Sequence, residues 1–97
     1  MFGDSSASSV KVRLLFFAKA RELIGASEVL LDVELIGAET TGAQLLRSVL
    51  AGFPALDPIK GSVILAHNLE YVDVEGETPI YVREDDEIAV IPPVSGG

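Results

Sequence analysis

Cysteine and tryptophan are both absent from the 97 residues, and there is a single methionine. Without cysteine the chain can form no disulfide, offers no thiolate to a metal ion and holds no cysteine nucleophile. It also cannot carry sulfur as a persulfide. Any sulfur carried by this chain must therefore be attached to another chemical group.

Basic residues are scarce. The chain has 7 Lys and Arg residues against 15 Asp and Glu residues, which gives a net charge of -8. A surface this acidic repels phosphate backbones, so nucleic acid is not expected as a partner. A basic protein surface would be attracted to it and would associate faster.

Long apolar segments are missing as well, and none approaches the roughly 18 residues expected of a membrane helix. Residues 1–9 are rich in serine and have neither the positive nor the apolar region of a secretory signal. They also lack the arginines of a mitochondrial transit peptide. We therefore expect a short flexible leader at 1–9 and a cytosolic location.

The length fits one small domain, and the hydrophobic content of 48% is typical of globular proteins. Apolar residues alternate with period two over 10–17 and 28–35, which predicts two strands. The segment between them, 18–24, favours a helix. Gly25 can end that helix in the left-handed conformation.

A second and longer helix is predicted to begin at Thr41, whose hydroxyl can cap the first turn, with Gln44 completing a capping box. Gly52 and Pro54 end it. Apolar residues at helical spacing form one stripe along it, which predicts a buried face. The stripe consists of Leu45, Leu46, Val49, Leu50 and Phe53.

Short extended segments complete the chain, at 63–67, 70–72, 79–82 and 87–91. This order of elements predicts an α+β fold, in which a mixed sheet has one face covered by the main helix. The order is that of the ubiquitin-like β-grasp. We expect the domain to span 10–91 and a projecting C-terminal tail to span 92–97.

The predicted tail reads Pro92-Pro93-Val94-Ser95-Gly96-Gly97. Proline lacks the N–H needed to continue a strand ladder and favours extended polyproline geometry, so these residues predict a stiff arm. Gly96 and Gly97 have no side chains and can enter a channel too narrow for a Cβ atom. The alternative, which assigns them no function, is that the two terminal glycines are merely flexible.

The functional interpretation concerns the carboxylate of Gly97. A free α-carboxylate, with a pKa of about 3.5, is ionised and unreactive at neutral pH, so it must be activated. An acyl-adenylate made from ATP by a partner enzyme would achieve this. Displacement of AMP by sulfide or a persulfide would then leave a thiocarboxylate at Gly97, a soft nucleophile able to deliver sulfur to an electrophilic carbon.

Three segments resemble the small subunit of molybdopterin synthase, the MoaD family: 11–25 (KVRLLFFAKARELIG), 66–72 (AHNLEYV) and 86–97 (DEIAVIPPVSGG). The resemblance implies a β-grasp fold and adenylation of Gly97 by an enzyme related to those that charge ubiquitin. It also implies that the thiocarboxylated tail enters a large subunit, in a heterotetramer of two small and two large subunits. There the sulfur would help to convert cyclic pyranopterin monophosphate into the dithiolene of molybdopterin.

The same resemblance implies a docking surface of Phe17, Tyr71 and Ile91 with Arg21, joined by the tail residues Pro92, Pro93, Val94 and Ser95. The alternation agrees in part, because Phe17 and Ile91 lie opposite the main apolar sets of their strands. The alternative is that they fill a small satellite core. Asp85 stands where the family usually has glycine, and aspartate tolerates the left-handed conformation better than most residues.

The sequence gives little support for metal binding or for ATP binding by the chain itself. His67 is the only histidine, which with no cysteine argues against a zinc site. The acidic run 84–87 lacks the ligand spacing of a calcium loop. No phosphate-binding glycine loop is present, so ATP is expected only on the activating enzyme and no cofactor on the chain itself. Two alternatives remain: a sulfur carrier for thiamine or tRNA thiolation, and a ubiquitin-like module that joins Gly97 to a lysine.

Overall fold

The computed structural model describes residues 7–92, which form seven strands, two α-helices and one 3-10 helix. The strands are β1 (Ala7–Phe16), β2 (Glu28–Ile36), β3 (Glu39–Thr41), β4 (Ile64–His67), β5 (Glu70–Val72), β6 (Pro79–Tyr81) and β7 (Glu87–Ile91). The helices are α1 (Ala18–Ile24), α2 (Gly42–Gly52) and the 3-10 helix Pro54–Ile59. In this part of the chain neither α-helix is long and apolar enough to cross a membrane.

The predicted strands and helices are all present, with small differences at their ends. β1 begins at Ala7, three residues before the predicted start, because Ala7 pairs with Ile36 at the far end of β2. Residues 7–9 of the predicted leader therefore belong to the sheet. Sequence patterns missed β3, which at three residues is too short to alternate, and the 3-10 helix, which contains two prolines.

The seven strands form one mixed sheet in the order β5-β4-β7-β1-β2-β3-β6. β1 and β7 run parallel at its centre, and every other neighbouring pair is antiparallel. The chain therefore leaves β7 at the same end of the sheet at which β1 leads into α1. This arrangement confirms the predicted α+β fold and its ubiquitin-like β-grasp topology.

The core lies between the inner face of the sheet and α2. Leu45 and Val49 of the predicted stripe are fully buried, and the other stripe residues pack at the edge of the core. Phe53 meets Phe16 of β1 edge to face, with ring centroids 5.5 Å apart. Each fully buried side chain of this size contributes about 1.5–3 kcal/mol. The inner face of the sheet supplies Val12, Leu14, Phe16, Val33, Leu35, Leu65, Ile88 and Val90.

Both predicted helix ends are confirmed. The Thr41 hydroxyl accepts a hydrogen bond from the backbone N–H of Gln44 at 3.2 Å, as a helix cap does. The other half of the predicted capping box differs, because the Gln44 side chain accepts a hydrogen bond from the Thr40 hydroxyl instead. Gly25 ends α1 with a φ of 82°, and its N–H donates to the carbonyl of Arg21.

Candidate functional site

The outer face of the sheet carries an apolar patch beside the end of β7. Strand register brings its members together, since directly opposed residues of an antiparallel pair share a face. Ile64 of β4 opposes Ile91 of β7, and Phe17 follows the β1 residue aligned with Val90. We call the patch the outer-face patch; it consists of Leu15, Phe17, Ile64, Ala66, Tyr71, Ala89 and Ile91.

A second row of the outer-face patch crosses four neighbouring strands. Tyr71 of β5 opposes Ala66 of β4, which opposes Ala89 of β7, which aligns with Leu15 of β1. Because the two alanines have small side chains, the surface of the sheet forms a shallow depression between Tyr71 and Leu15. The fold thus places Phe17, Tyr71 and Ile91, which lie far apart in sequence, on one surface.

Large side chains of the outer-face patch are exposed. Phe17 is 46% exposed, Ile64 41% and Tyr71 80%, whereas Ile91 is half-buried. This exposure excludes the alternative that Phe17 and Tyr71 fill a satellite core. Ala66 and Ala89, which lie between these side chains, are buried. A group of exposed apolar side chains on one face is typical of a protein–protein contact.

The predicted tail begins at the edge of this patch. The N–H of Phe17 donates to the carbonyl of Val90 at 3.3 Å, which fixes the start of α1 beside the end of β7. Pro92 is buried, so it packs with the domain and offers a partner little surface. Pro92, predicted as the first residue of the projecting tail, is therefore part of the packed domain. Pro93, Val94, Ser95, Gly96 and Gly97 lie outside the described residues.

Charged side chains border the patch. Arg21 is exposed on α1, one helical turn after Phe17, to whose carbonyl its backbone N–H donates. Arg13 lies next to the patch on β1, where its guanidinium is 3.8 Å from the Glu87 carboxylate. A polar rim around an apolar centre is the usual anatomy of a protein interface.

A polar network anchors the start of β7 to the hairpin formed by β4 and β5. One oxygen of the Asp86 carboxylate lies 2.7 Å from His67 Nε2 and accepts the backbone N–H of Arg83 at 2.9 Å. Burial acts to raise the pKa of Asp86, but these hydrogen bonds outweigh it and hold the pKa below its ordinary value of 3.8. The side-chain oxygen of Asn68 accepts a further hydrogen bond from the backbone N–H of Glu87 at 2.9 Å.

The turn before β7 keeps the geometry that a glycine would give. Asp85 has a φ of 70°, and its N–H donates to the carbonyl of Lys11 at 2.7 Å. Asp85 therefore adopts the left-handed conformation that aspartate tolerates better than most residues. Within residues 7–92 as a whole, the turn included, no group of three or more histidine or acidic side chains is arranged to hold a metal ion.

Sequence reasoning missed Ile64, which lies in the middle of the outer-face patch. Its position next to the buried Leu65 in β4 is the signal that could have assigned it to the outer face. Nothing in the sequence showed that β4 pairs with β7 rather than with another strand. Without that pairing, Ile64 could not be placed next to Ile91.

The amino-acid sequence is similar to those of known proteins over nearly its full length. The ThiS family model matches residues 14–97. The chain is 44% identical to the molybdopterin synthase sulfur carrier subunit of Aedes aegypti, covering 98% of this chain and 97% of that protein. It is 37% identical to the protein of the same name from Arabidopsis thaliana, covering 97% and 91%.

Solved structures share the fold. The small archaeal modifier protein 1 of Methanosarcina acetivorans matches with a TM-score of 0.64 and 30% identity, over 93% of this chain and 99% of that one. A chain from the complex of subunits 1 and 2 of the Helicobacter pylori molybdopterin-converting factor matches with a TM-score of 0.60 and 22% identity. That match covers 91% of this chain and all of the other.

Proposed function

Because the chain belongs to the ThiS family, we propose that it is the sulfur-carrier subunit of molybdopterin synthase. Its near full-length similarity to proteins of that name supports this choice within the family. The observation that carries the proposal is the position of the outer-face patch beside the end of β7. A partner that buries Phe17, Ile64 and Ile91 is placed to receive the residues that follow Pro92.

The proposed chemistry takes place on Gly97. Its carboxylate oxygen attacks the α-phosphorus of ATP in an adenylating enzyme, which forms the acyl-adenylate and releases pyrophosphate. Hydrosulfide then adds to the acyl carbon and AMP leaves, so that one C–S bond replaces one C–O bond without a change of oxidation state. Gly96 and Gly97 suit this route because they carry no side chain to block access to the acyl carbon.

The proposed partners are two. One is the E1-like enzyme that binds ATP and activates Gly97. The other is the synthase large subunit, which would hold the active site and receive sulfur for the dithiolene of molybdopterin, in a heterotetramer of two small and two large subunits. The Helicobacter pylori chain of this fold was solved together with subunit 2, which supports the second partner. We expect both complexes to form in the cytosol.

The decisive test uses the chain with Gly97 converted to a thiocarboxylate and verified by mass. Mixed with a molybdopterin synthase large subunit and the cyclic pterin precursor, it should yield the dithiolene pterin. A variant lacking Gly97 should give no product although its thermal melt is unchanged, because the reach of the arm fixes where the sulfur is delivered. Product from that truncated variant would show that the tail is not the carrier.

Two other outcomes would redirect the proposal. A loaded thiocarboxylate that gives no dithiolene pterin would point to another sulfur pathway, such as thiamine or tRNA thiolation. An isopeptide bond from Gly97 to a lysine would point instead to protein modification. The likeness to an archaeal modifier protein makes this second outcome worth measuring. Mass spectrometry of the chain after incubation with ATP and its activating enzyme separates the two.

A further inference from the structure

An open cleft lies between the two edge strands of the sheet. β5 and β6 end the strand order, so each has one side with no neighbouring strand in the described part of the chain. The cleft has a volume of about 510 Å³ and is lined by residues of both strands and of the segment that joins them. Its walls include Tyr71, Val72, Ile80 and Tyr81.

The β5 edge is better suited than the β6 edge to accept another strand. Pro79 lies in β6 and has no N–H to donate, which blunts that edge. β5 contains no proline or lysine. Asn68 and Leu69, with φ of 48° and 75°, form a two-residue type I′ turn between β4 and β5. In such a hairpin the N–H and C=O of Tyr71 point away from β4 and remain open to a partner.

The charge around the cleft is of one sign. No lysine or arginine occurs between Lys60 and Arg83, whereas Glu70, Asp73, Glu75 and Glu77 fall in that interval. Glu70 and Asp73 line the cleft, and both are exposed. A second copy of this chain would meet the same negative charges, and each copy carries a net charge of -8. Charge complementarity therefore selects a basic occupant.

We propose that this cleft binds an extended, lysine- or arginine-rich segment of a partner protein, which adds as a strand to the free edge of β5. Its backbone pairs with the N–H and C=O of Tyr71, and its basic side chains reach Glu70 and Asp73. Tyr71 also belongs to the outer-face patch, so a protein docked there has a direct path into the cleft. The proposal does not depend on any chemistry at Gly97.

The probe is the peptide acetyl-Lys-Val-Lys-Tyr-Lys-Val-Lys-amide, titrated into the full chain labelled with ¹⁵N. We expect the amide signals of Tyr71 and Val72 to shift, and hydrogen exchange at Tyr71 to slow. The same peptide with glutamate in place of lysine should bind at least about tenfold more weakly. Affinity of the lysine peptide should fall as salt is raised, because the contacts are exposed.

Variants then separate charge from backbone pairing. Glu70→Gln should weaken binding roughly twofold to fivefold, since an exposed ion pair contributes little. The matched control Glu34→Gln, on an exposed position of β2, should leave it unchanged. A peptide of the same sequence with methylated backbone nitrogens, which has no backbone N–H to donate, should lose most of its affinity.

Three results would overturn the proposal. The first is that the lysine and glutamate peptides bind equally well. The second is that the amide signals shifted by the peptide belong to residues away from β5. The third is that the Tyr71 amide signal shifts with protein concentration when no peptide is present. The last would identify a second copy of the chain as the occupant. None of these readouts uses sulfur transfer, so the proposed function can fail or succeed independently.

Discussion

Among residues 7–92, Leu69 is the one large apolar residue with a left-handed backbone. It has a φ of 75° at the second position of the β4–β5 turn, a position that normally holds glycine. A branched side chain in the left-handed region costs roughly 1–2 kcal/mol. Its side chain is 87% exposed, so packing within the described domain does little to offset that cost. Asn68 and Asp85 also have positive φ, but their residue types tolerate it better.

We therefore predict that Leu69→Gly stabilises the protein. Relief of the backbone strain should exceed the extra chain entropy of glycine, for a net gain of about 0.5–1 kcal/mol. In a domain of this size that corresponds to a rise in melting temperature of a few degrees, roughly 4–8 °C per kcal/mol. Leu30→Gly is the matched control, because Leu30 is exposed in the interior of β2. This control should lower the melting temperature.

At the scale of elements, the hairpin of β4 and β5 is held to the start of β7 by a few polar groups. Asp86 joins His67 at the end of β4, and the backbone N–H of Asn68 donates to the carbonyl of Glu87 at 2.9 Å. These contacts help to fix the register in which β7 pairs with β4. They therefore also set where β7 ends.

Stability should accordingly depend on the charge of Asp86. Its pKa is lowered in the folded state, so its stabilisation is complete above the ordinary value of 3.8 and is lost as the pH falls through the folded-state pKa. We expect Asp86→Asn to cost about 1 kcal/mol near neutral pH and nothing once the carboxyl is protonated. Chemical denaturation of both proteins across the acid range would measure this difference.

Asp57→Asn serves as the control for that experiment. Asp57 pairs with Lys60 at 3.1 Å, but both side chains are exposed, and such pairs contribute at most about 1 kcal/mol. We expect its effect on the free energy of unfolding to be smaller than that of Asp86→Asn. A loss for Asp86→Asn that persists unchanged at low pH would mean that its role is packing rather than charge.

For the whole molecule, the outer-face patch should contribute more to binding than to folding. Phe17 is nearly half exposed, so Phe17→Ala should cost the monomer only about 1 kcal/mol. If Phe17 is a central contact, the same change should weaken large-subunit binding by about 2 kcal/mol or more, roughly thirtyfold. Calorimetric titration beside thermal melts measures both quantities on the same samples.

Ile36→Ala is the matched control for this pair of measurements. Ile36 is exposed on β2, at the end of that strand that pairs with the start of β1. It therefore lies at the opposite end of the sheet from the end of β7, and its truncation should leave binding unchanged. Equal losses of binding and stability for Phe17→Ala would mean that Phe17 is no central contact with the large subunit.

The sequence by itself determined the elements and which of their faces are buried. Alternation in β1 and β2 and the helical spacing of Leu45 and Val49 reflect local geometry, since strand and helix periods are fixed by the backbone. The cap at Thr41 and the left-handed Gly25 are local as well. The projecting tail at 92–97, inferred from its prolines and glycines, stays a prediction beyond Pro92, which is buried.

Only the tertiary structure decided which strands are neighbours. The parallel pairing of β1 with β7 joins residues 74 positions apart in sequence, such as Arg13 and Glu87. The antiparallel pairing of β4 with β7 joins residues 21 to 27 positions apart. No periodicity within one segment can report either pairing. The pairing of β4 with β7 placed Ile64 beside Ile91 and opened the cleft between β5 and β6. Pro92, which follows β7, is buried, and the sequence did not predict this. The physical reason is that periodicity describes one segment, whereas a surface or a cleft depends on how segments pack together.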